Sequence, residues 1–195
     1  MGNIVAFLSI SLDGVMQAPG HPDEDRRGGF DRGGWAAPYA DEMTMGLAAE
    51  GSTTTVGLLF GRHTYERFHA VWAGRRDNPF SEILDNTTKF VASRTRTEPL
   101  PWANSVLLAG EAAETVPPLR ARTDGDLVIL GSGELVRTLV AADAVDRLVL
   151  LIHPIVVGDG RRLFAERGDI RTFALTSART NTRGVIVAMY ERSRS

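Results

Sequence analysis

Three short segments place glycine, hydroxyl or guanidinium groups just beyond an apolar, strand-like run, and each is equipped to meet an anion. After Thr54–Phe60 the chain reads Gly61-Arg62-His63-Thr64 and enters a helical pattern. Glycine permits a sharp turn and Arg62 offers a fork of donors. The N–H groups of His63 and Thr64 fall at a helix start, where negative charge is stabilised. A loop with a threonine cap and a surface arginine would read the same way. After the strand-like run that begins at Lys89 come Ser93-Arg94-Thr95-Arg96, two hydroxyls and two guanidiniums. That set suits a phosphate monoester, although a solvated loop has the same composition. After Asp126–Leu130 come Gly131-Ser132-Gly133, and a helix opens at Glu134 and Leu135. Free backbone N–H groups stand at that helix mouth, with no side chain in front of a pyrophosphate. The alternative is a plain strand–turn–helix with a serine cap. The full GxGxxG fingerprint is missing, so a conventional dinucleotide domain is not supported. The three turns together point to a nucleotide laid across a sheet edge.

Turns of this kind do chemistry only if strands bring them to one edge. Ile4–Ile10 is a run of branched apolar residues, read as a buried strand. Lys89–Ser93, Ser105–Ala109, Asp126–Leu130 and Arg147–Ile152 are further strands. Helices are expected at 38–50, 64–72, around 81–84 and at 134–142. Tyr65, Phe68 and Trp72 share one face of the second. Pro117-Pro118 is expected to interrupt whatever precedes it. Thr172–Ser177 and Val185–Tyr190 alternate around a turn and read as an antiparallel hairpin. The expectation is a single α/β domain over 1–195 with a mostly parallel sheet. A Gly- and Pro-rich loop insertion spans about 15–36, and loops of that length are usually functional or disordered.

Composition narrows the chemistry. The chain has 195 residues, net charge −2 and no cysteine. Thiolate zinc sites, disulfides and cysteine nucleophiles are excluded, and a dedicated nucleic-acid binder would carry a basic face. Lys89 is the sole lysine among 22 basic residues, so Schiff-base chemistry rests on one side chain. The four histidines show no metal-ligand spacing, and no GxSxG elbow is present. No apolar run approaches the roughly 20 residues of a spanning helix. Met1–Ile10 lacks the basic start of a signal peptide, so a cytoplasmic, soluble protein is expected. Trp35, Tyr39 and Met43 could line a flat apolar pocket for a substrate, and their spacing equally describes core residues. Gly158-Asp159-Gly160-Arg161-Arg162 could hold phosphate or form an edge turn.

Four segments resemble a known superfamily. FGRHTYE (Phe60 to Glu66) is similar to the cofactor-phosphate segment of dihydrofolate reductases. SLDG (Ser11 to Gly14), DLVILGSGELVRTLV and HPIVVGDGRRLF resemble the reductase domain of the bifunctional riboflavin-biosynthesis deaminase-reductase. The likeness runs from Asn3 to about Tyr190, with no zinc deaminase domain ahead of it, as in stand-alone members. It implies a dihydrofolate reductase-like three-layer fold, a homodimer, and NADPH as cofactor. By the same resemblance, Gly61, Arg62, His63 and Thr64 would contact cofactor phosphate. Ser93, Arg94 and Thr95 would sit by the 2′-phosphate that separates NADP from NAD, and Gly131, Ser132, Gly133, Glu134 and Leu135 by the pyrophosphate. In dihydrofolate reductases the glycine pair corresponding to Gly131-Ser132 contains a cis peptide, which is left open here. Asp41 is expected to orient the substrate ring or relay a proton, with Asp13 as the other candidate. Helix-dipole and turn roles are their alternatives. Trp35 and Tyr39 would join Asp41 at the substrate, and the insertion from His21 to Gly34 would rim the pocket. The implied activity is hydride transfer to a small heterocycle, of the 5-amino-6-(5-phosphoribosylamino)uracil reductase type. Dihydrofolate reductase and a non-catalytic nucleotide-binding protein remain alternatives.

Overall fold

A computed structural model describes residues 2–50, 54–164 and 167–193. The elements are β1 (Ile4–Ser11), α1 (Glu42–Glu50), β2 (Thr55–Gly61), α2 (Arg62–Trp72), α3 (Pro79–Asn86), β3 (Lys89–Ser93) and β4 (Ser105–Ala109). They continue with α4 (Ala112–Ala121), β5 (Asp126–Leu130), α5 (Gly133–Ala141), β6 (Arg147–His153), β7 (Phe173–Thr180) and β8 (Ile186–Arg192). The strands form one sheet in the order β4-β3-β2-β5-β1-β6-β8-β7. It is parallel from β4 to β6, and β8 and β7 add an antiparallel end.

The sheet is central because its strands are apolar on both faces, as parallel strands covered by helices must be. Along β1, Ile4, Ala6, Leu8 and Ile10 pack with Val116 of α4 and with Leu135, Val136 and Leu139 of α5. Val5 and Phe7 point the other way, against Met43 and Leu47 of α1. On that same face Leu58, Phe60 and Val91 meet Tyr65 and Phe68 of α2 and Leu84 of α3. The result is the expected three-layer, dihydrofolate reductase-like arrangement.

Three boundaries differ from the sequence expectation for physical reasons. The helix expected from 38 begins only at Glu42. Pro38 lies in a separate 3-10 turn, Ala40 is extended, and Asp41 Oδ1 accepts the Thr44 N–H at 3.0 Å as an N-cap. The helix expected from Thr64 starts at Arg62, since Gly61 is extended and ends β2. Pro117-Pro118 does not interrupt α4, which runs through both. The carbonyls deprived of donors belong to the exposed Ala113 and Glu114, while fully buried Val116 pins the helix to the core.

The insertion at 15–36 is ordered around its own small core of Val15, Ala18, Phe30, Trp35 and Ala36 against Val157. Trp35 Nε1 donates to the Gln17 carbonyl at 2.8 Å. The buried Gln17 amide donates to the carbonyls of Asp25 and Arg27 and accepts the Arg161 N–H at 3.0 Å.

Candidate functional site

The carboxyl ends of the neighbouring strands β2 and β5 open directly into α2 and α5. Gly131 (φ +64°) and Ser132 (φ +52°) are both left-handed, a conformation that glycine adopts freely and serine rarely. The peptide between them is trans; among the described residues the cis bond is Glu98–Pro99. Ser132 Oγ accepts the Gly61 N–H at 3.0 Å, and the Gly131 N–H donates to the Phe7 carbonyl at 3.1 Å. The turn is thereby fastened to both β2 and β1. The helical ladder of α5 starts with the Val136 N–H on the Ser132 carbonyl, so Gly133, Glu134 and Leu135 carry N–H groups without intrahelical acceptors. No side chain caps α2, α4 or α5 at its N-terminus. Such ends attract anions through free donors and the helix dipole.

Two concavities meet at these turns and share Gly61, His63, Glu134 and Leu135. The outer recess, about 400 Å³, adds Arg62, Ser93, Arg94 and Thr95 and the start of α4. Ser93 Oγ accepts the N–H groups of Thr95 at 3.2 Å and Arg96 at 3.0 Å and so shapes that turn. Arg94 lies 3.3 Å from Glu111, but both side chains are more than half exposed. Such a pair contributes at most about 1 kcal/mol and yields readily to a better anion. Arg62 meets the His63 ring at 3.2 Å. Burial, followed by the charges of Arg27 and Arg62, holds His63 below its ordinary pKa.

The inner cavity, about 690 Å³, has an apolar side formed by Phe7, Phe68, Phe80 and Leu130. Gly131, Ser132, Gly133 and Thr64 line its other side. The Met16 thioether packs where a Cβ on Gly133 would stand, so a larger residue there would displace the Met16 side chain. Met16 to Pro19 and Asp23 to Arg27 complete the wall, and the insertion does rim the cavity as expected.

Every residue expected at the cofactor lines one of these two spaces, whereas the residues expected at the substrate lie elsewhere. Asp41 caps α1, and its second oxygen accepts from the Thr182 N–H at 3.0 Å and hydroxyl at 2.9 Å. These donors, the Thr44 N–H first, hold its carboxyl far below the usual range. Asp13 accepts the Ser11 hydroxyl at 2.6 Å and the N–H groups of Val157 and Gly158 at 3.0 and 2.9 Å. Although desolvation opposes it, these hydrogen bonds lower its pKa to about 2. Both carboxylates therefore brace local structure, and neither lines either of these two spaces. Trp35 is spent in the core of the insertion. Tyr39 stands edge-on to His153 at 5.9 Å, with α1 behind it. Lys89, fully buried, donates to the carbonyls of Leu84 and Thr87 at 2.6 and 2.8 Å and lies over the Trp102 ring. It closes the end of α3, and desolvation lowers its pKa to about 8.

Gln17, Arg27, Arg67, Phe68, Phe80 and Arg161 line the inner cavity without having been singled out as its residues. Arg161 carried a signal in the Gly158-Asp159-Gly160-Arg161-Arg162 turn, and Arg27 came with the insertion expected to rim the pocket. The others reach the cavity through tertiary placement of α2, α3 and the insertion. Among the described residues no group of three or more His, Asp or Glu could hold a metal ion, and no helix is long and apolar enough to cross a membrane.

This fold, with glycine- and serine-bearing turns leading into helices at one sheet edge, is of the dihydrofolate reductase-like class. The chain belongs to the RibD C-terminal domain family, whose model matches residues 3–187. Its family is oxidoreductase-like. The chain is 25% identical over 192 residues to the uncharacterized protein YyaP of Bacillus subtilis (strain 168), covering 96% of this chain and 93% of that protein. A structure from Shewanella sp. PV-4, described under riboflavin biosynthesis, superposes with TM-score 0.75 at 23% identity, covering 98% of this chain and 99% of the other. Dihydrofolate reductase from Enterococcus faecalis, complexed with NADP(H), superposes with TM-score 0.62 at 16% identity, covering 98% and 97%. At these identities the two structural likenesses establish the fold.

Proposed function

We propose that the chain is an NADPH-dependent reductase of the riboflavin-pathway type that acts on a small, flat heterocycle such as an aminouracil. The observation that carries this reading is the continuity of the two spaces. A recess with Arg62 and Arg94 runs past two uncapped helix starts into a cavity with an apolar side. That sequence of surfaces fits a phosphate monoester, a pyrophosphate and a flat ring in turn.

When bound, NADPH supplies the hydride. The protein's part is binding, orientation and exclusion of water. Arg94, with Ser93 and Thr95, holds the 2′-phosphate. The N–H groups at the starts of α2 and α5 hold the pyrophosphate, in the turn that Ser132 fastens to Gly61. Phe7, Phe68, Phe80 and Leu130 supply a dry face for the reacting rings. The insertion, anchored by Gln17, forms one wall of the cavity. Asp41 and Asp13 keep their bracing roles and move no proton in this account. A homodimer goes with the reading, as the family resemblance implies.

The test is NADPH oxidation, followed by absorbance, against a panel of aminouracils and pterins. Turnover of an aminouracil is the expected result. NADPH binding without turnover of any panel member would leave a nucleotide-binding protein and remove the reductase.

A further inference from the structure

We propose that the Ser9 hydroxyl holds the edge of the substrate ring, through a hydrogen bond to a lactam C=O or N–H, while Phe7 meets the ring's face. The inference deepens the reductase reading above and rests on it. β1 lies inside the sheet between β5 and β6, and six of its eight residues are buried. The two that are not are Phe7 and Ser9, and both line the inner cavity. Alternation along the strand puts them on one face, the face that α1, α2 and α3 cover. A strand with neighbours on both sides and helices over both faces opens only where a cavity meets it. The exposure of Ser9 is therefore exposure to the cavity.

Ser9 contributes little to the fold. In a parallel strand of this kind a branched apolar residue packs better than serine. Among the described residues no group bonds its hydroxyl. Ser11, two residues on and on the same face, is the contrast. It is buried, donates to Asp13 at 2.6 Å and accepts the Val15 N–H at 2.8 Å. The Gln17 amide is likewise spent on the backbone of Asp25, Arg27 and Arg161, and Ser132 Oγ on the Gly61 N–H. Ser9 keeps both a donor and an acceptor for a ligand.

Its place along the strand assigns it to the ring that receives the hydride. β1 pairs with β5 as far as Phe7 and Leu130, and there β5 turns away at Gly131. Ser9 lies beyond that point, beside Leu151 of β6, on the side away from the starts of α2 and α5. It stands roughly 7 Å along the strand from Phe7. A nucleotide entering past those helix starts brings its own ring to the Gly131 turn first, and the place at Ser9 falls to the second ring. Phe7, Phe68 and Phe80 offer that ring faces, which leave it free to turn in its plane. One hydrogen bond at its edge fixes the orientation, and a ring with no polar edge there loses that contact.

The experiment compares the unaltered full-length protein with Ser9→Ala and Ser9→Thr, each saturated with NADPH. The probes are 5-amino-6-ribosylaminouracil 5′-phosphate and 7,8-dihydrofolate, which both carry a lactam edge. Ser9→Ala should raise KM for the probe that is turned over by about five-fold or more, the loss of one hydrogen bond. NADPH affinity should stay within about two-fold. The melting temperature of Ser9→Ala should hold or rise, as for a residue kept for a ligand and not for packing. Ser9→Thr retains a hydroxyl and should recover part of the loss. An unchanged KM in Ser9→Ala would overturn the proposal, whatever the melting temperature does. An equal loss of NADPH affinity would also overturn it, by giving the hydroxyl to the nicotinamide carboxamide. Turnover of neither probe shows in the unaltered protein, before any variant is compared, and removes the reductase reading together with this inference.

Discussion

The Gly61 N–H donates to Ser132 Oγ at 3.0 Å across 71 residues of chain, joining the turns at the ends of two neighbouring strands. This bond holds two helix N-termini in one orientation. Ser132→Ala deletes the acceptor and leaves a partly buried N–H without its partner, at a cost of about 1 kcal/mol. Affinity for NADPH and NADH should fall by the same few-fold factor, because the pyrophosphate is common to both. Denaturant melts and paired titrations check this, and a loss confined to NADPH would place Ser132 elsewhere on the cofactor.

Arg94→Ala should separate the two cofactors. Its ion pair with Glu111 is exposed, so the melting temperature should hardly move. NADPH affinity should drop about ten-fold or more, since charge-assisted contacts to the 2′-phosphate disappear, while NADH affinity stays within about two-fold. Equal losses would take Arg94 away from the 2′-phosphate.

Asp41→Ala should act on the fold and spare the site. The substitution removes the cap of α1 and the tie from that helix start to Thr182 in the β7–β8 turn. The melting temperature should fall, with NADPH affinity and kcat near those of the unaltered protein. A large loss of kcat with unchanged melting would restore a catalytic role to Asp41.

His153 makes the stability acid-sensitive. The side chain is 4% exposed and neither ring nitrogen has a hydrogen-bond partner; Trp35 and Tyr39 stand edge-on at 5.4 and 5.9 Å. Desolvation by burial lowers its pKa from 6.5 to about 4. Between those values the unfolded chain binds a proton that the folded chain refuses, so stability falls as pH drops from 6.5 to about 4 and this contribution levels off below. Chemical denaturation across that range should show the loss, and His153→Phe should flatten the curve. An unchanged curve in the variant would assign the acid sensitivity to other groups. Asp13 acts in a separate window: its lowered pKa means that its contribution is lost only as pH falls from 3.8 towards about 2.

The phosphate-type turns were legible because their chemistry is local. Gly61, Ser93 and Gly131 announce turns at strand ends, and strand ends share one edge in any parallel sheet. The residues expected at the substrate were not legible in the same way. Whether Asp41 faces a cavity or Thr182 is decided by a contact 141 residues away. Trp35 reads equally as a ring platform or as core until Val157 is known to lie beneath the insertion. Phe80 enters the cavity only because α3 packs beside α2 on the sheet. Pro117-Pro118 signals a break by local rules, and burial of Val116 overrides it.

The central claim is that this sheet edge is built for NADPH. Titration of the purified protein with NADPH and with NADH, followed by nicotinamide fluorescence, tests it most directly. Saturable binding of NADPH with a clear preference over NADH is the predicted result. Binding of neither nucleotide, or equal affinity for both, would contradict it.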